Sequence, residues 1–217
     1  MRQEPVVPRV APLASILIAL GCSNPAEGVT PAAVAPAAEV PAAPAGREHL
    51  TIDASSSSVG FTGSKITGSH DGTFAEISGT IELDPADLTA SSARVTVQTA
   101  SVRIEPERLR GHLLGADFFD VSAFPTAGFE STAVRAGGSG TIGGEPATHT
   151  ITGNLTIRGV TRSLTFPAIV TVSADEVRAR SELTILRHDF GIEYPGRPDD
   201  LIRNEVVLRF SLRAARR

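Results

Sequence analysis

The sequence predicts an all-β fold of about eight antiparallel strands, closed as a small barrel or stacked as a sandwich, with one short helix between two of them. Three observations predict it. Apolar and polar residues alternate with a period of two through most of residues 48–217. Turn-forming pairs such as Asp84-Pro85, Gly137-Gly138 and Gly143-Gly144 punctuate that alternation. One segment, 105–115, changes to helical spacing.

Composition sets the outer bounds. The chain has 217 residues and 22.6 kDa, which suits one domain with a tail. A net charge of −4 gives no footing for phosphate-driven nucleic-acid binding. The single cysteine, Cys22, excludes an internal disulfide framework and a Cys-built metal centre. No apolar run reaches the ~18–20 residues of a spanning helix, so a bundle of such helices is excluded.

From the N-terminus, Arg2 and Arg9 precede a short apolar run, Val10 to Leu20, which ends at Gly21-Cys22. That order is an export signal, residues 1–21. Ala19-Leu20-Gly21-Cys22 resembles the bacterial lipoprotein signal, in which the cysteine becomes the lipidated first residue. The resemblance implies a membrane anchor at Cys22 and a periplasm-facing place in the cell envelope. With Ser23 and not aspartate next, it implies the outer membrane. The alternative is a secreted protein with an incidental cysteine.

Residues 22–47 hold Pro25, Pro31, Pro36, Pro41 and Pro44 among nine alanines. The prolines predict an extended linker without long helix or strand pairing, reaching roughly 80 Å at ~3.1 Å per residue. All periodic strands lie beyond Gly46, which predicts a domain over 48–217 that folds without this tether.

Within the domain, Val95 and Val97 oppose Arg94, Thr96 and Gln98; Ile151, Leu155 and Ile157 oppose Thr152, Asn154 and Thr156. Val177, Ala179, Leu183 and Ile185 oppose Arg178, Arg180, Glu182 and Thr184; Val206, Leu208, Phe210 and Leu212 oppose Arg209, Ser211 and Arg213. Each is a half-buried strand with one wet face. Further strands are expected over 57–66, 72–84, 127–136 and 162–173. In 105–115, Pro106 near the start, early acids and Gly115 near the end predict the helix, and Leu109 and Leu113 share one face of it. Phe118, Phe119 and Phe124 follow, either as a rim around an apolar opening or as a core satellite.

Several blocks then resemble the YceI-like lipid and polyisoprenoid-binding family. They are Thr51-Ile-Asp53 with Val59-Gly-Phe61, Thr99-Ala-Ser101, Arg108-Leu-Arg-Gly-His112 through Asp117-Phe-Phe-Asp120, and Phe124-Pro125 with Phe129-Glu-Ser131. Gly153-Asn-Leu155-Thr-Ile-Arg-Gly159 and Arg187-His-Asp189-Phe190-Gly191-Ile192 complete the series. They occur in family order over about residues 50–213. Two departures stand out: Leu50 replaces an opening aromatic, and Ser56 stands where the family carries a histidine.

The resemblance implies a lipocalin-like, eight-stranded antiparallel barrel whose interior holds a long isoprenoid or other lipid. The residues alone agree on the size, since eight strands either fill their interior or leave room for one small ligand. The inward set includes small residues, Gly63, Gly79, Ala93, Gly153 and Ala179, expected to leave volume unfilled. The candidate tunnel lining comprises Val95, Val97, Leu155, Ile157, Leu183, Ile185 and Leu208. Phe61, Phe129, Phe166, Phe190 and Phe210 join it, with His112, Leu113, Phe118 and Phe119 at the tunnel end or mouth.

No catalytic residues, metal ligands or cofactor are predicted. Ser69-His70-Asp71 sits between Gly68 and Gly72, which suggest a turn, and neighbours on a strand face opposite ways in any case. The five histidines have no metal-ligand spacing. Two further readings remain: a filled barrel acting through its outer surface on an envelope partner, and a hydrolase with a site at the barrel mouth.

Overall fold

The computed structural model describes residues 24–42 and 46–216; the apolar run and Cys22 lie outside the described residues. Strands form where the period-two pattern lies. They are β1 (Ala33–Pro36), β2 (Glu48–Thr51), β3 (Ser58–Lys65), β4 (Gly68–Phe74), β5 (Ile77–Leu83), β6 (Ser92–Gln98) and β7 (Val102–Ile104). Helix α1 (Glu107–Leu114) follows, then β8 (Thr126–Ala136), β9 (Thr141–Ile142), β10 (Glu145–Pro146) and β11 (His149–Ile157). The chain ends with β12 (Val160–Val172), β13 (Glu176–Leu186), β14 (Gly196–Arg197) and β15 (Asp200–Ala215).

Eight stretches of chain form the barrel, because three of them are broken at corners. β2 and β3 are one such stretch, β4 and β5 a second, and β6 and β7 a third. The breaks at Ala75–Glu76 and Thr99–Ser101 lie side by side, so β5 pairs with β6 while β4 pairs with β7. From β6 the antiparallel ladder runs through β8, β11, β12, β13 and β15. β15 then pairs with β3, and Ile52 bridges Ala214, which returns the ladder to its first stretch and hides the dry face.

Asp53 holds the first corner. Its carboxylate accepts hydrogen bonds from Ser56 Oγ at 2.6 Å, Ser55 Oγ at 2.7 Å and Ser55 N at 2.9 Å. Those donors, Ser56 foremost, bring its pKa down from 3.8 to about 2. Ser56, one of the two family departures, therefore has a local task. A depressed folded pKa means this stabilisation is complete above about pH 4 and is lost as pH falls through about 2. Asp53→Asn should lower the melting temperature at pH 7, with the gap to wild type closing below about pH 2. A gap independent of pH would show that the carboxylate charge is not what holds the corner.

Outer-face charges pair across strands, as between Arg94 and Glu130 or Arg209 and Glu182. Inward residues form three adjoining clusters around Ile81, Val95 and Leu212, around Val102, Leu113 and Phe118, and around Leu164, Phe166 and Phe190. The hairpin joining β9 to β10 turns on Gly143 and Gly144, with φ of +58° and +84°, a geometry open to glycine.

Three expectations need correction. The prolines of the linker predict no strand pairing, yet β1 lies antiparallel along β12, from Ala33 opposite Thr165 to Pro36 opposite Arg162. Thr184 N donates to Thr30 O at 3.1 Å, and Ala32 N donates to Thr184 O at 2.9 Å, so the same segment also grips β13. The reason is spacing. Pro31 and Pro36 fall at the ends of the paired stretch and leave the N–H groups of Ala32 to Ala35 free to donate. β12 and β13 pair directly only from Ile169–Val172 to Val177–Arg180, so the segment fills the slot where they splay apart.

Second, Gly68 and Gly72 do not mark a turn, because β4 runs through both. The Cε1 atom of Phe61 lies 2.6 Å from where a Cβ on Gly72 would be, so that glycine lets a ring cross the strand. Third, Gly79 and Gly153 leave no empty volume. Ile52 packs over the first, and Phe129 over the second, with its Cε2 2.7 Å from a would-be Cβ.

Candidate functional site: an apolar tunnel with a basic mouth

The dry face encloses two cavities of about 170 and 180 Å³. Both are lined by Val59, Phe74, Val95, Phe129, Leu155 and Leu208, so they are two stretches of one apolar tunnel. Each is about the size of an engineered 150 Å³ cavity that admits benzene and stays dry.

Every predicted lining residue except His112 lines one or both of these cavities. Phe166, Leu183 and Phe210 line the inner stretch, with Val95, Phe129, Leu155 and Leu208 shared between the two. Phe61, Val97, Ile157, Ile185 and Phe190 line the outer stretch, closed by Leu113, Phe118 and Phe119 from α1 and the segment after it. Rings meet edge-on along the walls, Phe61 to Phe119 at 6.0 Å and Phe166 to Phe210 at 5.8 Å between centroids. Ala93 and Ala179 face the inner stretch, and Gly63 faces the outer one. Phe124 sits apart, against Gly159.

Beyond the outer stretch lies a vestibule of about 420 Å³ with a polar wall. It shares Phe61, Gly63, Leu113, Phe118 and Ile202 with the tunnel, and adds Lys65, His70, Arg108, His112, Tyr194, Arg197 and Asp200. α1 is seated there by its apolar face, Leu109 and Leu113, and by Arg110, whose Nε donates to Val102 O at 2.9 Å. Arg110 is thus a fastening; Arg108, two residues earlier, faces the vestibule. His112 packs edge-on against both Phe118 and Tyr194 with centroids 4.8 Å apart, and its Nε2 donates to Asp117 at 3.3 Å.

Two features escape a period-two reading. Arg187 is buried beside the outer stretch, where it donates to the carbonyls of Arg203 (3.0 Å), Ile192 (2.5 Å) and Ile202 (3.3 Å). Burial pushes its pKa below the ordinary arginine value, while Glu193 acts in the opposite sense. It ties the turn after β13 to β15 and so shapes the tunnel end. Tyr194 comes from the loop before β14 and Arg197 from β14 itself, a stretch too short to show periodicity, and only tertiary folding brings them to the mouth. Lys65 was open to detection, because it shares strand parity with Val59, Phe61 and Gly63.

Ser64, His70 and His112 all line the vestibule, but among the described residues no serine is hydrogen-bonded to either histidine. His70 Nδ1 donates to the Glu105 carbonyl at 3.0 Å, while Asp71, on the opposite face of β4, meets Thr62 and Arg209. Ser69, His70 and Asp71 therefore form no relay.

A model of the YceI-like domain matches residues 50–214. The chain belongs to the YceI-like family. Among curated relatives, UPF0312 proteins of Pseudomonas putida (strain W619) and Pseudomonas aeruginosa (strain LESB58) are 34% and 36% identical, over 58% and 56% of this chain. Those matches span 65% and 63% of the relatives' own lengths, just under two thirds. In structure, the YceI-like barrel is similar to BcnA of Burkholderia cenocepacia, at TM-score 0.64 and 26% identity over 75% of this chain and 99% of that one. It also shares its fold with a polyisoprenoid-binding domain from Saccharophagus degradans, at TM-score 0.61 and 17% identity over 79% of this chain and 100% of that one.

Proposed function

We propose that this barrel is a cell-envelope lipid carrier or store that holds one polyisoprenoid or similar long-chain lipid, with no chemistry of its own. One observation carries the reading: an apolar tunnel runs inside the barrel and opens into a polar vestibule. Burial of hydrocarbon is non-directional, at ~25 cal/mol per Å², so such a lining suits a flexible chain without polar contacts along it. The polyisoprenoid-binding description of the Saccharophagus degradans domain supports the ligand class as an analogy of fold. Cys22 is proposed as the lipidated residue that places the protein at the periplasmic side of the outer membrane, since it is the sole cysteine and closes the apolar run.

One fractionation series tests both halves. Wild type should partition with membranes and Cys22→Ser with the soluble envelope extract. Native mass spectrometry of the released variant should show an added mass that solvent extraction identifies as a long-chain lipid. Unchanged partition of Cys22→Ser would remove the anchor. A protein that never carries lipid, even when offered it, would favour a filled barrel acting through its outer surface.

A further inference from the structure

We propose that the loop joining β5 to β6 is the end-stop of the tunnel, with Leu88 as the stopper, and that it limits the ligand to a prenyl-type chain of about four five-carbon units. This rests on the tunnel reading above and narrows it from long-chain lipids in general to short ones.

Strand parity gives the tunnel a depth scale. Along β6, Ala93 lines only the inner stretch, Val95 lines both, and Val97 lines only the outer one. The loop that precedes β6 therefore lies at the inner end, opposite the vestibule. It runs from Asp84 to Ser91, eight residues, where a hairpin connection usually needs about two to five. The surplus folds into a single 3₁₀ turn, Leu88–Ala90, and from that turn Leu88 lines the inner stretch. Its side chain packs on the buried cluster that holds Leu83, Ile81 and Leu212.

The loop is fastened by its own side chains. Asp87 Oδ1 accepts from Thr89 N at 2.9 Å and from Thr89 Oγ1 at 2.7 Å, at the start of the turn. Asp84 Oδ1 accepts from Ala86 N at 3.0 Å and from Asp87 N at 3.1 Å, and Asp84 N donates to Ser91 Oγ at 2.9 Å. A leucine held on a loop tied in this way is a fixed wall, not a plug that a longer ligand pushes aside.

The distance from that wall to the vestibule sets a length. On β13 the lining runs from Val177 at the inner end to Ile185 at the outer end. Those residue steps, at ~3.3 Å each on strands tilted ~40° from the barrel axis, give about 20 Å of apolar depth. An extended prenyl unit, with backbone bonds of ~1.5 Å, advances about 5 Å, so about four units fill it. Each stretch is benzene-sized in volume, so the chain lies in single file and does not double back. Further units would have to stay in the vestibule, against its polar wall.

The test offers the full chain, freed of lipid, a series of uncharged alcohols that differ only in length: geraniol, farnesol, geranylgeraniol and hexaprenol. Each added unit buries more hydrocarbon, so affinity should rise at least roughly tenfold per step as far as geranylgeraniol. Hexaprenol should then bind no tighter than geranylgeraniol. Leu88→Ala should carry the rise on to hexaprenol, and Leu88→Trp, with a longer stopper, should end it at farnesol. If Leu88→Ala fails to fold, the shift in Leu88→Trp decides alone. A wild-type affinity that keeps rising to hexaprenol would remove the end-stop and leave the tunnel standing. A limit that neither variant moves, or variants that weaken every alcohol alike, would reduce Leu88 to a packing residue. If no alcohol binds at all, the tunnel reading falls and takes this one with it.

Discussion

Replacing Gly63 by phenylalanine should empty the barrel of ligand and leave it folded. Gly63 faces both the outer tunnel and the vestibule, so it stands at the neck between them. A Cβ built there meets no atom within 4 Å. Added volume in a filled core typically costs ~1–3 kcal/mol, because neighbours must move. At Gly63 the ring enters open space, and the loss of stability should fall below that range. Ala93→Phe and Ala179→Phe make the same test at the inner stretch, and the outward Thr96→Phe serves as the control. Gly153→Ala supplies the opposite case: the added Cβ would lie 2.6 Å from the Glu130 carbonyl oxygen, a backbone atom that cannot step aside. Extracted lipid and melting temperature, measured on all five, separate the two effects. A Gly63→Phe protein that retains its lipid would place the ligand's path elsewhere, and one that unfolds would show that the neck is packed.

A chain beginning at Arg47 should still give a cooperative β-rich protein, but a weaker one that associates with itself. Removal of residues 24–42 strips β1 from β12, the Thr30 and Ala32 contacts from β13, and the bonds between Ala38 and the Asn154 side chain at 2.9 and 2.7 Å. A net hydrogen bond contributes about 1 kcal/mol, so the ladder as a whole amounts to several. It also uncovers Thr184, buried on an otherwise wet face, and the cluster of Leu164, Leu183 and Ile185 against which Ala32 packs. Two unpaired strand edges then face each other across a slot, the arrangement that invites pairing with another chain. Supplied in trans, a peptide of residues 28–40 should raise the melting temperature and restore the monomer. Equal stability and a monomeric state without residues 24–42 would show that the segment merely rests on the surface.

The fold was legible because alternation is a local signal. Arg94 to Gln98 or Leu208 to Arg213 declare their faces within six residues, and the structure places those faces as read. The corners at Ile52–Ser57 and Thr99–Ser101 were not legible, since a strand that changes partners midway keeps its parity. Nor was the true state of Gly79 and Gly153. A small residue facing inward looks like empty space until one knows that Ile52 or the Phe129 ring lies over it. For the linker, counting prolines obscured what their spacing permits, four donors in a row between Pro31 and Pro36. The tunnel wall could be read from parity; the vestibule could not. Its polar wall gathers side chains from β3, β4, α1, the stretch before β15 and β15 itself, and no periodicity within a segment reports such a meeting.

Tyr194 closes one wall of that vestibule, with its ring 4.8 Å from His112 and 5.6 Å from Phe118. The chain contains no tryptophan and no second tyrosine. All of its near-ultraviolet emission under tyrosine excitation therefore arises from one ring at one place. A molecule settling into the opening changes the polarity and quenching around that ring, and one leaving reverses the change. The protein carries its own optical gauge of occupancy, so loading and release can be followed in real time without a label, a displaced dye or an introduced chromophore.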